Sequence, residues 1–226
     1  MQFTLVVATR ATQNAFFTET ALGKSLHKQQ PHGVELRLFP ENTAGLSEVY
    51  NTVIDDHAKN SRILVFLHDD IYLLDYYWMH RLHAGLQAFD IVGLAGNARR
   101  VARQPGWAFV NEQRQWDSPE NLSGIVAHGT SFPPKVWSVF GPTRKKVSLL
   151  DGLLLAVQSE TLIKNGLRFD PRFRFHFYDL DFCRQAEKLG LTCGTWDLSV
   201  MHESGGNFGS PEWQAAYQSY LTKWGD

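Results

Sequence analysis

Cysteine is scarce in this chain. Only Cys183 and Cys193 occur among 226 residues, in the spacing of neither a zinc site nor a disulfide framework. A stapled secreted scaffold is thereby excluded, and a reducing, cytoplasmic setting is expected. Long apolar runs are missing too. Residues 63–67 and 149–157 are the longest, and the second is broken by Asp151-Gly152. Neither can span a bilayer, which leaves only peripheral contact with the inner membrane face open. The first residues read as a strand, with no basic stretch before an apolar one, so no signal peptide is expected. No excess of positive charge exists either: 22 basic residues face 23 acidic ones, for a net charge of −1. Nucleic-acid binding needs a basic face that displaces counterions, so no nucleic-acid partner is expected. Repeats and low-complexity tracts are absent.

What is present fits an enzyme-sized globular unit. The hydrophobic share, 43%, is ordinary. The length suits one domain that buries roughly 70% of its unfolded surface. Aromatics reach 13%, with seven tryptophans. Such rings can stack on sugars or simply fill a core, and both readings apply to Trp107, Trp116 and Trp137.

The first hundred residues alternate. Residues 3–8 are an apolar strand, 12–28 a helix, and 34–39 a strand ending at Pro40. Leu46, Val49, Tyr50, Val53 and Ile54 form one helical face at i, i+3, i+4, i+7 and i+8. Residues 63–67 form a continuous apolar run, as a strand buried on both faces should. A helix with Trp78, Met79, Leu82, Leu86 and Phe89 follows, with Asp75 as its expected cap. Residues 91–95 close the pattern as another strand. Strand–helix alternation implies a mostly parallel sheet flanked by helices, with ligands beyond the carboxyl ends of the strands. Residues 97–147 lose the period and read as an insertion that shapes an acceptor pocket or lid. Residues 149–157 are regular again. Ser159 is expected to cap a short helix ending at Gly166. A further helix covers about 179–189 and stops at Gly190. Residues 192–200 read as a strand. Ser210-Pro211 opens a last helix as N-cap and first turn. The division expected is a nucleotide-sugar half (1–96), an inserted region (97–147) and a catalytic and acceptor half (148–226).

Three local features could carry chemistry. The first is His68-Asp69-Asp70, directly after the buried strand. Adjacent carboxylates repel and are costly to desolvate, and a cation relieves both penalties. Oxygen ligands at a strand end suit Mg²⁺ or Mn²⁺. A solvated loop would explain the triplet equally simply. The second is Phe177-Tyr-Asp-Leu-Asp-Phe182, which sets Asp179 and Asp181 at a helix start. There they could serve the helix dipole, or one could act as a general base. The third is Met201-His-Glu-Ser-Gly-Gly206, where His202 precedes a flexible loop able to turn towards a metal or a phosphate. Asn51 sits inside a helix, and Asp151-Gly152 interrupts an apolar run. Arg99, Arg100 and Arg103 could meet a diphosphate or merely face solvent.

In this order the pieces resemble the inverting family 2 glycosyltransferases, in their small bacterial glycosyltransferase-like branch. The resemblance covers most of the chain. Gly45-Leu-Ser-Glu-Val-Tyr-Asn51 is similar to the helix before the family's metal-site strand. Leu64-Val-Phe-Leu-His-Asp-Asp70 resembles that strand with its Asp-X-Asp motif. Leu149-Leu-Asp-Gly152 resembles the acceptor-side segment. Phe169-Asp-Pro-Arg-Phe173 with Phe177-Tyr-Asp-Leu-Asp-Phe182 resembles the stretch that bears the catalytic base.

The resemblance implies a GT-A type fold and transfer from a nucleoside-diphosphate sugar, UDP-linked, to a hydroxyl on a glycan, a lipid-linked or a protein acceptor. It implies Mn²⁺ or Mg²⁺ held by Asp70 and His202, with Asp179 as base. Thr9, Arg10, Glu41, Asn51, His68 and Asp69 would border the nucleotide and donor sugar, and Asp151, Gly152 and Asp181 the acceptor. Two departures stand out. His68 occupies the first acidic position of Asp-X-Asp, and Tyr178 replaces the acid before the catalytic Asp. The usual acidic turn after the second strand is also absent; Pro40-Glu41-Asn42 stands there.

Three rivals remain. A non-catalytic nucleotide-sugar-binding module would explain the departures. A sugar nucleotidyltransferase would need a Gly-rich loop after the first strand, where this chain has Ala8-Thr-Arg-Ala-Thr-Gln-Asn14, without glycine. A metal-dependent hydrolase could also use the His68-Asp69-Asp70 triplet.

Overall fold

The computed structural model describes residues 2–131, 133–206 and 208–225. Along the chain, β1 (Phe3–Ala8) leads through α1 (Gln13–Glu19) and α2 (Ala21–Gln29) to β2 (Val34–Phe39). Then come α3 (Leu46–Asp56), β3 (Ile63–Leu67), β4 (Ile71–Leu73), α4 (Trp78–Leu86), β5 (Ile91–Gly93) and β6 (Ala95–Asn97). The middle holds β7 (Leu122–His128), β8 (Val136–Gly141), β9 (Lys146–Val147), β10 (Leu149–Leu150) and β11 (Leu154–Gln158). The last third holds α5 (Ser159–Asn165), α6 (Tyr178–Lys188), β12 (Cys193–Thr195), β13 (Val200–His202) and α7 (Pro211–Trp224).

Two sheets form. The larger has the order β2-β1-β3-β11-β5-β12-β9. Its β1, β2 and β3 pair in parallel, as do β5 and β12, while β11 and β9 run against their neighbours. Five of the seven strands therefore share a direction, which is the mostly parallel sheet expected from the alternation. The smaller sheet has the order β10-β6-β7-β13-β4, with β8 paired to β7. The chain passes between the two sheets after β3, β4, β5, β8, β9, β10 and β12.

The core follows from composition. All five residues of β3 are buried, and so is the apolar face of α3. Tyr50 packs at 4.7 Å from Phe66, Phe66 at 5.0 Å from Phe169, and Phe169 at 4.2 Å from Phe182, centroid to centroid. Each such buried ring contributes roughly 1.5–3 kcal/mol.

Several expected elements are divided. Residues 12–28 form two helices because Thr20 is extended there. Its hydroxyl donates to Phe16 O and accepts from Gly23 N, so it closes α1 and caps α2. The turn is tight enough that a Cβ on Gly23 would lie 1.9 Å from Phe16 O. The runs 91–95, 149–157 and 192–200 are each split, because their halves belong to different sheets or are separated by a loop.

The aperiodic stretch 97–147 holds β7, β8 and β9. A register irregularity at Gly124/Ile125 breaks the alternation of β7. Strand β8 turns Trp137 and Val139 outward, so both of its faces read as apolar. Two caps differ from expectation. Tyr77, not Asp75, precedes α4; Asp75 accepts from Tyr77 N at 2.7 Å and also pairs with Arg81. Gln158, not Ser159, precedes α5, and the Ser159 hydroxyl instead bonds Asn60 O and Arg62 N.

Candidate functional site

The triplet His68-Asp69-Asp70 bridges the two sheets between β3 and β4. The chain turns at Asp69 and Asp70, and the three side chains divide the work. Asp69 turns towards β1, where its Oδ2 accepts from Thr9 Oγ1 at 2.5 Å. His68 and Asp70 turn the other way, into a cleft of about 480 Å³.

Asp70 Oδ2 lies 3.2 Å from His202 Nε2, and Asp70 Oδ1 lies 4.0 Å from His68 Nδ1. Strand pairing makes this meeting inevitable, because His202 in β13 registers directly against Ile71 in β4. Ligand atoms of His68, Asp70 and His202 fall within 4.8 Å of one another. Asp70 Oδ1 is buried and has no hydrogen-bond partner among the described residues. Burial works to raise the Asp70 pKa, but the hydrogen bond and charge of His202, with His68 and Ser204, outweigh it and bring it to about 2.

Tyr178 orients His68. Its hydroxyl donates to Gly152 O at 2.8 Å and lies 3.0 Å from His68 Nε2. A hydroxyl has one proton to give, so the His68 Nε2–H donates to the Tyr178 oxygen. That tautomer leaves a lone pair on Nδ1, on the side of Asp70. Burial lowers the His68 pKa, which keeps the imidazole neutral. Phe175 stacks on the ring, with centroids 5.8 Å apart.

Asp179 occupies the first turn of α6 and lines the same cleft. The residue before that helix, Phe177, has φ +64°, a left-handed conformation that costs a non-glycine residue roughly 1–2 kcal/mol. Its ring stacks on Tyr217 at 5.5 Å, which offsets that strain. Asp179 accepts from Gly152 N at 2.8 Å and from Leu180 N at 2.9 Å. Its pKa is raised to about 7 by burial and by the nearby charge of Asp151. Gly152 has no room for a side chain, since a Cβ there would lie 2.3 Å from the Tyr178 hydroxyl. Asp151 itself accepts from Trp107 Nε1 at 2.6 Å and from Leu153 N at 2.9 Å.

Of the residues singled out in the sequence, His68, Asp70, Asp151, Gly152, Asp179 and His202 line this one cleft. Thr9 and Asp69 meet beside it, at the carboxyl ends of β1 and β3. Arg10 and Glu41 are exposed on the loops that follow β1 and β2, joined where Glu41 N donates to Ala11 O at 3.0 Å.

Two residues lie elsewhere. Asn51 staples α3 to the chain before α6, bonding Phe169 O at 2.7 Å and Phe169 N at 3.0 Å, which leaves it no face towards a donor. Asp181 is fully buried among Lys223, Trp224 and Gln185, so its carboxylate has no opening towards an acceptor. Three contributors escaped the sequence reading: Tyr178 as the partner of His68, Phe175 as its stacking surface, and the Trp107–Asp151 bond. The signal for the first was available, because both members of that pair depart from the family pattern.

The fold has counterparts. The crystal structure of GalNAc-T7 with UDP, GalNAc and Mn²⁺ aligns with a TM-score of 0.55 at 15% identity, over 100% of this chain and 48% of that one. S. aureus TarS aligns at 0.49 and 11% identity, over 90% of this chain and 37% of that one. A197 from STIV aligns at 0.47 and 10% identity, over 90% and 83%. This chain thus spans about half the length of the GalNAc-T7 chain. No curated protein sequence matches it. The sheet is of the GT-A type, and the family model described as "Glycosyltransferase like family" matches residues 6–205. A match across nearly the whole chain makes this protein a member of the glycosyltransferase-like family, with a role in glycosyl transfer.

Proposed function

We propose that the protein is a metal-dependent inverting glycosyltransferase that moves a sugar from a nucleoside-diphosphate sugar, UDP-linked, to an acceptor hydroxyl. The observation that carries this is the convergence of His68, Asp70 and His202 in a cleft that also holds Asp179, with its pKa raised to about 7.

The residues fit a divalent cation. Asp70 Oδ1 is a buried oxygen without a hydrogen-bond partner among the described residues, and a lone pair of His68 is on its side. Two imidazoles with one carboxylate suit Mn²⁺ better than Mg²⁺, which prefers oxygen ligands. The GalNAc-T7 structure holds Mn²⁺ with UDP on the same fold, which supports that choice. A cation held there supplies Lewis-acid neutralisation of the diphosphate leaving group.

The chain's own groups do the rest. Thr9 and Asp69 border the ribose at the ends of β1 and β3, with Arg10 and Glu41 at the outer rim. Asp179 takes the proton of the acceptor hydroxyl as that oxygen attacks the anomeric carbon from the face opposite the leaving group. A base poised near working pH combines a useful ionised fraction with real proton affinity. Asp151 orders Trp107 beside it, and Gly152 lets Tyr178 and Asp179 approach. In this reading residues 1–96 bind the donor, 97–147 shape the acceptor side, and 148–226 supply the base. No helix among the described residues is long and apolar enough to cross a membrane. Work in the cytoplasm, with at most peripheral contact at the membrane, completes the proposal.

The test is a thermal-shift panel of nucleoside diphosphates and their sugars, with and without Mn²⁺. A ligand bound to the folded state at a hundredfold its Kd stabilises by about 2.7 kcal/mol. One nucleotide should give a Mn²⁺-dependent rise, and Asp70→Ala should remove it. Nucleotide affinity that is indifferent to both metal and Asp70 would sink the assignment.

A further inference from the structure

We infer that the aromatic half of the cleft is a subsite for an uncharged saccharide acceptor, and that acceptors bearing phosphate or carboxylate are turned away. The inference rests on the glycosyl-transfer reading and narrows it to a class of acceptor.

Beyond Asp151 the cleft wall is a chain of rings. Trp107 meets Phe140 edge-on at 5.0 Å, and Phe140 lies nearly parallel to Trp116 at 5.7 Å. Trp116 meets Phe109 at 5.4 Å, and Phe109 meets Phe208 at 5.2 Å. Trp116 is 52% exposed, an unusual state for an indole held by three neighbouring rings.

This platform is rigid before any ligand arrives. Phe109 and Trp116 form a bridge between two short extended segments, and Asp117 N donates to Ala108 O at 2.8 Å. The adjoining Asp117 is buried, gripped by Arg99 at 2.6 Å and by Asn97 and Asn121 at 2.9 Å. The side-chain entropy that stacking normally costs has therefore largely been lost already.

Flat aromatic surface next to hydrogen-bond acceptors matches one chemistry. A pyranose ring offers an apolar C–H face to the rings and hydroxyl donors to Asp151 and Asp179. Each carboxylate already accepts two N–H bonds from the protein, and a purely apolar tail would cover their remaining lone pairs without offering a donor. Charge decides the rest. Asp70, Asp151 and Asp179 all line the cleft, and no lysine or arginine among the described residues does. One divalent ion cancels the two charges of a donor diphosphate, so the carboxylates that remain set the sign of the cleft. An anionic acceptor would meet net repulsion from these carboxylates.

The experiment uses the full chain saturated with Mn²⁺ and the nucleoside diphosphate that binds it. Methyl glucoside, methyl galactoside and methyl N-acetylglucosaminide are titrated by saturation-transfer NMR, each against its uronate or 6-phosphate counterpart. At least one neutral glycoside should bind, and its charged counterpart should bind at least about tenfold more weakly. Trp116→Ala should weaken the neutral glycoside by about tenfold, as loss of an aromatic contact of this kind implies. Nucleotide affinity should stay unchanged, and Trp116→Phe should restore part of the glycoside binding. Trp137→Ala should change neither, because Trp137 lies outside the cleft. Equal or tighter binding of the charged glycosides overturns the inference. So does glycoside affinity that ignores Trp116, or the failure of every neutral glycoside to bind a protein that holds the metal and nucleotide. Absence of nucleotide binding in the wild type is a different failure, that of the glycosyl-transfer reading itself.

Discussion

Tyr178 and His68 stand where the resembling family carries acids, and they touch each other at 3.0 Å. Two departures that look like decay when read singly make sense as a pair. An acid beside a neutral imidazole would invite a second proton, whereas a phenol that already donates to Gly152 O holds one neutral tautomer. Tyr178→Phe should therefore weaken Mn²⁺ binding by about 10-fold or more, the usual cost of removing the partner of a ligating histidine. Calorimetric titration of the metal would show it, and an unchanged Kd would mean that His68 is not a ligand.

Asp179 gives a sharper expectation. With its pKa raised to about 7 by burial and Asp151, it is protonated, and useless as a base, at lower pH. kcat/KM should fall as pH drops through about 7 and level off above it. Asp179→Asn should flatten that limb and lower kcat by about 10²–10⁴ while nucleotide affinity holds. A pH profile that survives in the Asn variant would assign the limb to another group. The triplet, Asp179 and His202 were legible because each follows a strand or opens a helix. Their mutual distances were not legible, since those depend on pairing between β4 and β13.

At the scale of elements, α7 shows what periodicity can and cannot reveal. Ser210-Pro211 marked its start, and Trp213, Tyr217, Tyr220 and Leu221 are buried as their spacing required. The clamp at its far end was invisible, because its partners are distant in sequence. Lys223 Nζ lies 2.6 Å from Asp181 and 2.7 Å from Asp170, and Trp224 Nε1 donates to Asp181 at 2.9 Å. Burial lifts the Asp181 pKa even with Lys223 beside it, so that carboxylate depends on its cation. Lys223→Met should cost about 3 kcal/mol in urea denaturation, as losing one partner of a buried pair does. Nucleotide binding should not change. If the midpoint does not move, α7 is held by its aromatic face alone. The split runs carry the same lesson. Residues 91–95 and 149–157 each read as one apolar strand, the second despite Asp151-Gly152, yet a pattern does not say which sheet a strand joins.

Across the whole molecule, the two sheets share one contiguous core, from Phe3 and Leu64 to Val126 and Val200. Because the chain shuttles between them, neither sheet can lose its strands without unravelling the other. Unfolding in urea should thus be a single transition, with far-UV and near-UV circular dichroism coinciding. Two separated midpoints would mean that the smaller sheet melts independently. The larger sheet was legible because alternating strand and helix leave a strong periodic trace. The smaller sheet was not, because its strands are short, one is bulged, and another shows apolar residues to solvent.

The places where the chain changes sheets are also where the chemistry sits. His68–Asp70 spans one passage, and Asp151 with Gly152 spans another. Each such loop is a strut nailed at both ends to a different panel. A strut of that kind cannot be lifted out and set into another scaffold, since its shape is the offset between the panels. Anyone grafting this cluster elsewhere would have to carry both sheets along, whereas the outer rim at Arg10 and Glu41 could be exchanged like a fitting.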